Sequence, residues 1–338
     1  MSSSAVHSPV QVGTVIAGTY VIERILGRGG MGTVWEAHHQ RLPGKKVAIK
    51  ILHASVADDA DALARFRREA EIACRLGHPN IVEVHDFNKH DNGCPYLILE
   101  LLHGHSLDER LKEGALDQKS AEHVLRQVAS ALQVAHDQEV IHRDLKPQNV
   151  FLVPSPTGVG PDIAKVLDFG ISKIRGSTTV KTQESTLLGT PQYMAPEQAT
   201  GKHDQVDART DLFALASMAY ELLSGRPAFT GQSIPEVVYK VVHEEPTPLA
   251  TLVDGLPEHI ATEIHRALSK KQEDRHPSVQ AFIESLYGEA LVHTTGSHRV
   301  QSASELASAA TMDSSKLDLA EARTVDSAKM DIAQAHTL

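Results

Sequence analysis

A proton acceptor, two cations and an amide lie close together in one short segment, His142-Arg143-Asp144-Leu145-Lys146-Pro147-Gln148-Asn149. Asp144 can accept a proton from a hydroxyl group, Lys146 can neutralise a transferring phosphoryl group, and Asn149 offers an amide oxygen to magnesium. A polar surface loop is the alternative for this segment taken alone. The combination of residue types nevertheless points to the chemistry of phosphoryl transfer.

Four further patterns surround this segment in the chain. They are Gly27-Arg28-Gly29-Gly30-Met31-Gly32-Thr33-Val34, Val47-Ala48-Ile49-Lys50, Asp168-Phe169-Gly170 and Ala195-Pro196-Glu197. In this order the patterns resemble the signature set of the eukaryotic-type (Hanks-type) serine/threonine protein kinases. The stretches GRGGMGTVW and GTPQYMAPEQA are most similar to the bacterial branch. The resemblance covers about residues 20–287.

The resemblance implies an α+β, bilobal protein-kinase-like fold. We expect a small antiparallel β-sheet lobe with one main helix over residues 20–100, a hinge over 100–104 and a larger, mostly helical lobe over 105–287. It also implies transfer of the ATP γ-phosphoryl group to Ser/Thr hydroxyls of proteins, with ATP and Mg²⁺ as cofactors. Lys146, two residues after Asp144, resembles the serine/threonine pattern rather than the tyrosine pattern.

The glycine-rich stretch is expected to cover the nucleotide phosphates. Gly27, Gly29 and Gly32 lack a Cβ atom, so the backbone can lie close to a triphosphate and direct N–H groups at it. An ordinary hairpin turn is an alternative, whereas a dinucleotide-binding turn needs a helix where residues 33–37 indicate a strand. By resemblance, Val34 and Ala48 would cover one face of the adenine, and the nucleotide site also includes residues on both lobes. The full predicted set is Leu26, Gly27, Arg28, Gly29, Gly30, Met31, Gly32, Thr33, Val34, Ala48, Lys50, Glu100, Leu102 and Phe151.

Lys50 lies among apolar residues of a predicted strand, and the resemblance implies that it binds the α- and β-phosphates of the nucleotide. A solvating surface lysine is the alternative. The family pattern also requires a glutamate partner on the following helix, and both Glu69 and Glu71 are candidates. Helical geometry places Glu69 about 60° and Glu71 about 140° from the apolar Phe66, so we predict the ion pair between Lys50 and Glu69.

The resemblance assigns the remaining catalytic and metal-binding roles. Asp168 and Asn149 would hold magnesium, although an Asx turn could by itself explain an aspartate at 168. Thr190 would bridge Asp144 and Lys146 and shape a platform for the peptide. Two structural roles also follow from the family pattern: an ion pair between Glu197 and Arg275, and a brace beneath the catalytic loop from Asp211.

Arg143 is a fixed cation beside the predicted base, which suggests regulation. The loop between Gly170 and Gly189 is rich in hydroxyl groups, so we predict autophosphorylation there, most readily at Thr178, Thr179 or Thr182. The alternative is that Ser and Thr merely keep this loop soluble. Partners are therefore expected to be protein substrates and the chain itself.

The hydrophobic periodicity of the sequence predicts the strands and helices that would position these side chains. Strands are predicted over residues 20–26, 33–38, 46–52, 81–87 and 96–101, with one helix over 58–76. Helices follow over 120–138, 211–223, 234–243, 258–268 and 278–287. The helix over 211–223 is apolar nearly all round, which is typical of a helix buried inside a domain. A prolyl-rich stretch at 153–162 is predicted to be a tolerated surface insertion.

Composition excludes several classes. Acidic residues outnumber basic ones by 43 to 33, a formal charge of -10, which argues against nucleic acid as a partner. Two cysteines, Cys74 and Cys94, favour a reduced, cytoplasmic setting over a disulfide framework. No signal peptide or integral membrane segment is predicted. The 20 histidines show no HExxH or Cys/His spacing that predicts zinc.

Both ends are predicted to be outside the folded domain, with disorder over residues 1–19 and 288–338. The tail contains two related segments, beginning at Thr311 and Thr324, that share seven of twelve residues at a spacing of 13. They could dock a partner or be a harmless duplication. Two other classes remain open for the whole chain: a pseudokinase scaffold, and a small-molecule phosphotransferase lacking a peptide platform.

Overall fold

The computed structural model describes residues 10–29, 32–53, 60–90, 93–155, 158, 160–168 and 191–291. Within them the chain first builds a β-sheet with one long helix and then a mostly helical body, as the α+β pattern predicts. None of the helices in these described ranges is long and apolar enough to cross a membrane.

Six antiparallel strands form the first lobe, in the spatial order β1-β2-β3-β4-β6-β5. They are β1 (Val15–Ile16), β2 (Tyr20–Arg28), β3 (Gly32–His39), β4 (Lys46–Leu52), β5 (Val84–Lys89) and β6 (Pro95–Glu100). Alternate residues bury one face, where Trp35, Ile49 and Ile98 form a core. Helix α1 (Ala60–Leu76) packs Phe66 and Ala70 against Leu52 and Leu97 of the sheet.

The sheet begins earlier than the sequence predicts. We expected disorder over residues 1–19, but residues 10–19 are described and pack against β2. Ile16 pairs with Tyr20 and is fully buried, while residues 1–9 lie outside the described part. The prediction was wrong for 10–19 because two apolar side chains on a short edge strand give little periodic signal.

The second lobe contains a sheet of three short strands and is otherwise mostly helical. The strands are β7 (His105–Ser106), β8 (Val150–Val153) and β9 (Ile163–Val166). The helices are α2 (Leu107–Leu111), α3 (Gln118–His136), α4 (Pro196–Ala199), α5 (Ala208–Ser224), α6 (Ile234–His243), α7 (Glu258–Ala267) and α8 (Val279–Tyr287). Side-chain caps start several of them, including Asp207 at α5 and Ser278 at α8.

Helix α5 forms the centre of this lobe, with residues 210–223 buried throughout. Packing continues past residue 287, where we predicted the domain to end. Leu291 is 6% exposed and belongs to the same core, and Arg126 donates a hydrogen bond to the Glu289 carbonyl at 3.2 Å. The apolar character of one residue beyond a polar turn was too local to predict this extension.

Candidate active site

A single buried carboxylate holds the segment around Asp144 from below. Asp211, in the first turn of α5, accepts the backbone N–H groups of His142 at 2.7 Å and Arg143 at 2.8 Å. His136 approaches the same carboxylate at 2.8 Å. Burial favours the neutral acid, but the hydrogen bonds from His136 and His142 outweigh it and hold the pKa of Asp211 below its usual value. The predicted brace by Asp211 therefore has a direct geometric basis.

The braced backbone is strained. Arg143 adopts a φ of +65° and Asp168 a φ of +39°, both in the left-handed region that non-glycine residues rarely occupy. Such strain persists only where surrounding contacts fix it, and it is concentrated at functional sites. The two hydrogen bonds from Arg143 and His142 to Asp211 provide one such constraint.

His142 connects this segment to the residue before Asp168. Its ring is fully buried, with Nε2 3.0 Å from the Leu167 carbonyl and Nδ1 accepting the Asp144 N–H at 3.3 Å. Burial lowers the pKa of His142, which favours the neutral ring that this pair of contacts requires. The base candidate and the metal-binding candidate are thus linked through one neutral imidazole.

The side chains of Asp144, Lys146 and Asn149 converge. Lys146 Nζ lies 2.9 Å from Asp144 Oδ2. Asn149 donates its amide N–H to the Asp144 carbonyl at 2.8 Å. This donation leaves the Asn149 amide oxygen as the group available to a cation. Leu167 also donates its N–H to the Asn149 carbonyl at 2.8 Å, so a backbone bond joins Asn149 to the residue that precedes Asp168.

Lys50 lies opposite Val34 and Leu97 in the register of β4 with β3 and β6. Its side chain is 13% exposed, and Nζ contacts Asp168 Oδ1 at 2.7 Å. A lysine that only solvates the surface would not be mostly buried against a carboxylate 118 residues away. The tertiary structure therefore unites two positions that the sequence patterns predicted separately.

Helix α1 also agrees with the helical geometry used to choose its glutamate. Glu71 forms an ion pair with Arg67 at 2.8 Å and is 60% exposed, so it faces solvent. Phe66 and Ala70 face the sheet. The Glu69 side chain lies outside the described part of the structure, and its pairing with Lys50 stays a prediction.

The glycine-rich turn joins β2 and β3. Gly29 donates its N–H to the Gly32 carbonyl at 2.9 Å, and Gly27 lies opposite Val34. A Cβ atom on Gly32 would lie 2.3 Å from the Ile51 carbonyl oxygen, so close strand packing requires glycine there. Two predicted residues of this turn, Gly30 and Met31, lie outside the described residues.

Several of the other residues predicted to bind the nucleotide flank the crossing between the lobes. Ala48 is buried on β4, Leu26 is 39% exposed at the end of β2, and Leu102 is half-buried in the crossing. Phe151 lies on β8 below, opposite Lys165 of β9. Glu100 also makes a contact that the sequence did not predict, because its carboxylate lies 2.6 Å from Lys165 Nζ. Sequence analysis overlooked Lys165, since a lone lysine in a short strand gives no motif.

The platform after residue 190 is fixed by buried polar pairs. Arg275 forms two hydrogen bonds of 3.0 Å with the two carboxylate oxygens of Glu197, as the family pattern predicts. The Tyr193 hydroxyl donates to Glu221, a buried pair that sequence analysis missed. Burial raises the pKa of both groups. Thr190, predicted to bridge Asp144 and Lys146, lies outside the described residues.

A cleft of the structure opens beside the base candidate. Its lining includes Arg143, Asp144, Lys146, Tyr193 and Gln198. Gln198 donates its side-chain amide to the Arg143 carbonyl at 2.8 Å, which ties the platform to the catalytic segment. A hydroxyl-bearing peptide on this platform would therefore lie next to the predicted proton acceptor.

The donor set fits magnesium and a triphosphate. Asp168, with a half-exposed carboxylate, and the amide oxygen of Asn149 are hard oxygen ligands, and magnesium commonly takes one or two of these together with phosphate oxygens. Across the described ranges, no three His, Cys, Asp or Glu side chains form a cluster able to hold a metal. Magnesium bound by these two oxygens would take its other ligands from phosphate oxygens and water.

Comparison with known proteins identifies the family. The protein kinase domain family matches residues 20–290, and the chain belongs to it. "Serine/threonine-protein kinase pkn3" of Myxococcus xanthus is 40% identical over 277 residues, which are 80% of this chain and 50% of that protein. "Probable serine/threonine-protein kinase PknB" of Bifidobacterium longum is 38% identical over 78% of this chain and 39% of its own length.

A solved structure agrees with the fold. The kinase domain of Mycobacterium tuberculosis PknI matches with a TM-score of 0.63 and 29% identity, covering 83% of this chain and 100% of that domain. The predicted bilobal protein-kinase fold is therefore confirmed. The chain spans about half or less of the length of the curated relatives described above.

Proposed function

We propose that this chain is a protein serine/threonine kinase that transfers the γ-phosphoryl group of ATP to protein hydroxyls. Asp144 orients the hydroxyl and accepts its proton. Lys146 neutralises charge on the phosphoryl group, Lys50 holds the α- and β-phosphates, and Glu69 positions Lys50. Asp168 and Asn149 hold magnesium, which supplies positive charge to the phosphates when bound. Thr190 shapes the site for the acceptor peptide.

One observation carries this proposal: residues of three separate sequence patterns come together through a chain of contacts. Lys50 contacts Asp168 at 2.7 Å, and Asp144 contacts Lys146 at 2.9 Å. Asn149 bonds to Asp144 on one side and to Leu167, next to Asp168, on the other. A pseudokinase scaffold has no need to keep all of these groups in mutual contact.

The platform supports proteins rather than small molecules as acceptors. Residues 191–199 are tied to α5 by the Tyr193–Glu221 bond and to the rest of the lobe by the Glu197–Arg275 pair. A rigid shelf beside Asp144 suits an extended peptide, whereas a small-molecule phosphotransferase does not need one. The proposed localisation is cytoplasmic, and the paired tail segments are proposed as a docking site for a partner.

Asp144→Asn tests the catalytic role directly. The amide cannot accept the proton, so phosphoryl transfer to a generic protein substrate should fall at least about 100-fold. Binding of ATP with Mg²⁺ should stay within about twofold, because Asp144 is not among the predicted nucleotide ligands. Radiolabelled ATP and a fluorescent nucleotide titration measure the two quantities.

The exposed Asp254 supplies a matched control, since Asp254→Asn makes the same chemical change away from the cleft. Its transfer rate should equal that of the unmodified chain. Full activity in Asp144→Asn would exclude the proposed base. A chain that binds ATP but transfers nothing would favour the scaffold, and transfer to a sugar or amine without any protein substrate would favour the small-molecule class.

A further inference from the structure

An ion pair crosses between the lobes at the start of their connection. Glu100 is the last residue of β6, and Lys165 lies on β9 of the second lobe. Lys165 Nζ and Glu100 Oε1 are 2.6 Å apart, and their side chains are only 16% and 23% exposed. Removing two charges from water offsets much of their attraction, so such a pair is weak evidence for stability. The pair is more informative about the relative position of the two strands that it joins.

The same carboxylate oxygen has a second donor. Glu100 Oε1 accepts the backbone N–H of Glu83 at 2.8 Å, and Lys165 Nζ lies 3.5 Å from the Ile81 carbonyl. The backbone of this region is also joined to β9, because Val82 and Val166 are hydrogen-bonded at 3.0 Å. The ion pair thus connects the end of β6, the segment entering β5, and β9.

The two partners lead to opposite ends of the proposed nucleotide site. Glu100 follows Leu99, which lies opposite Ala48, a residue that by resemblance covers the adenine. Lys165 precedes Asp168 by three residues, and the intervening Leu167 bonds to Asn149 at 2.8 Å. A displacement of β9 relative to β6 would therefore move both metal-binding positions relative to the adenine end.

We propose that Lys165 is a positioning residue that sets the distance between the adenine end and the metal-binding end of the nucleotide site through Glu100. The inference rests on the proposed function, because it concerns how that site holds ATP with magnesium. Neither the glycine-rich turn nor the catalytic segment contains this contact. The distance between the adenine and the terminal phosphate of ATP is limited by its covalent structure. The adenine end and the metal-binding end of the site must therefore lie at a matching distance to bind one ATP molecule together.

Lys165→Met keeps an unbranched side chain and removes the charge. It should weaken binding of MgATP about tenfold, the range seen when directly interacting residues are uncoupled, and raise the Mg²⁺ concentration needed for half-maximal binding. Adenosine engages only one end of the site, so its affinity should change less than twofold. Lys165→Arg should retain most of the MgATP affinity. Fluorescence titration on the full chain measures all three.

Glu100→Gln removes the same ion pair from the other side and must reproduce the MgATP-specific loss, including when Lys165→Met is too unstable to purify. Glu122→Gln is the matched control. Glu122 pairs with Arg126 at 2.7 Å within α3 and is 35% exposed. The Glu122→Gln variant therefore loses a similar ion pair that does not involve β9. Thermal unfolding of each variant separates a loss of stability from a loss of spacing.

Three results would overturn the positioning role. One is unchanged MgATP affinity in both Lys165→Met and Glu100→Gln. Another is an equal loss for adenosine and MgATP, which would indicate damage to the adenine end alone. The third is the same loss in Glu122→Gln. An unmodified chain that binds no MgATP would instead contradict the proposed function on which this role depends.

Discussion

Arg143 is a cation that lies next to the predicted base, Asp144. Its guanidinium is half-buried, yet none of the carboxylates in the described ranges forms an ion pair with it. Burial lowers the pKa of Arg143; the charge of Asp211 opposes this effect, and the nearby positive charge of Arg68 adds to it. Because the positive charges of Arg68 on α1 and Arg143 beside the predicted base act on each other, we expect the two arginines to attract an anion.

These two arginines suggest where a phosphate added by the predicted autophosphorylation would bind. The loop between residues 170 and 189 lies outside the described residues. We expect a phosphate on this loop to bind Arg68 and Arg143 and so to connect α1 to the catalytic segment. Arg68→Gln should reduce the activity gained on phosphorylation by about tenfold, because hydrogen bonds to charged groups contribute ~1.5–3 kcal/mol. The measurement compares the autophosphorylated with the phosphatase-treated enzyme.

Arg67→Gln is the control for that comparison. Arg67 precedes Arg68 on α1 but forms an ion pair with Glu71 at 2.8 Å. It should leave the activation ratio unchanged. Equal activation ratios in Arg68→Gln, Arg67→Gln and the unmodified chain would remove Arg68 from the proposed phosphate site.

At the scale of secondary-structure elements, the connection between the lobes depends on one glycine. Gly104 has a φ of +147°, and a Cβ atom there would lie 1.9 Å from the Leu152 carbonyl oxygen of β8. The chain leaving the first lobe therefore packs directly on the backbone of the second. Gly104→Ala should destabilise the fold by at least about 1–3 kcal/mol, the cost of holding a strained backbone, before the collision is added.

Gly114 separates the two contributions. It has a φ of +119°, but a Cβ atom there would meet nothing within 4 Å. Gly114→Ala should therefore carry the backbone cost alone, and Gly104→Ala should lower the urea midpoint by more. Equal midpoints for the two variants would show that β8 can move away from the connection without a measurable cost.

At the scale of the whole molecule, two buried histidines and one partly buried histidine are expected to make stability depend on pH. Burial lowers the pKa of His142, His265 and His276 in the folded chain. The unfolded chain therefore binds more protons than the folded chain between the lowered folded-state pKa values and about pH 6.5, the ordinary histidine value. Stability should be full above that pH and fall as the pH drops from about 6.5 towards the lowered folded-state values.

His265 offers the clearest test, because its Nε2 accepts the Leu249 N–H at 3.1 Å and cannot do so when protonated. His265→Gln keeps an acceptor and removes the titration, so its urea-unfolding free energy should fall less between pH 7.5 and 5.5. Substituting the exposed His85 by Gln should leave the full decrease in place. A decrease as large in His265→Gln as in the unmodified chain would contradict the assignment.

Much of the architecture was predictable because its signals are local. The strand at 46–52 and the helix at 234–243 were predicted with the bounds that the structure has, since alternation and helical periodicity are strong there. The prediction that Glu71 faces solvent followed from helix geometry alone. The edge strand Val15–Ile16 and the buried Leu291 were missed, because each depends on a distant surface to receive a single side chain.

The sequence by itself determined which groups the chain carries: a carboxylate, cations and amides whose types and spacing predict phosphoryl transfer. Only the tertiary structure decided how they meet. Lys50 and Asp168 come into contact across 118 residues, and Lys165 joins Glu100 although neither position belongs to a common motif. Chemical identity is carried by each residue, whereas spacing across lobes is fixed by packing and hydrogen bonds that no local pattern encodes.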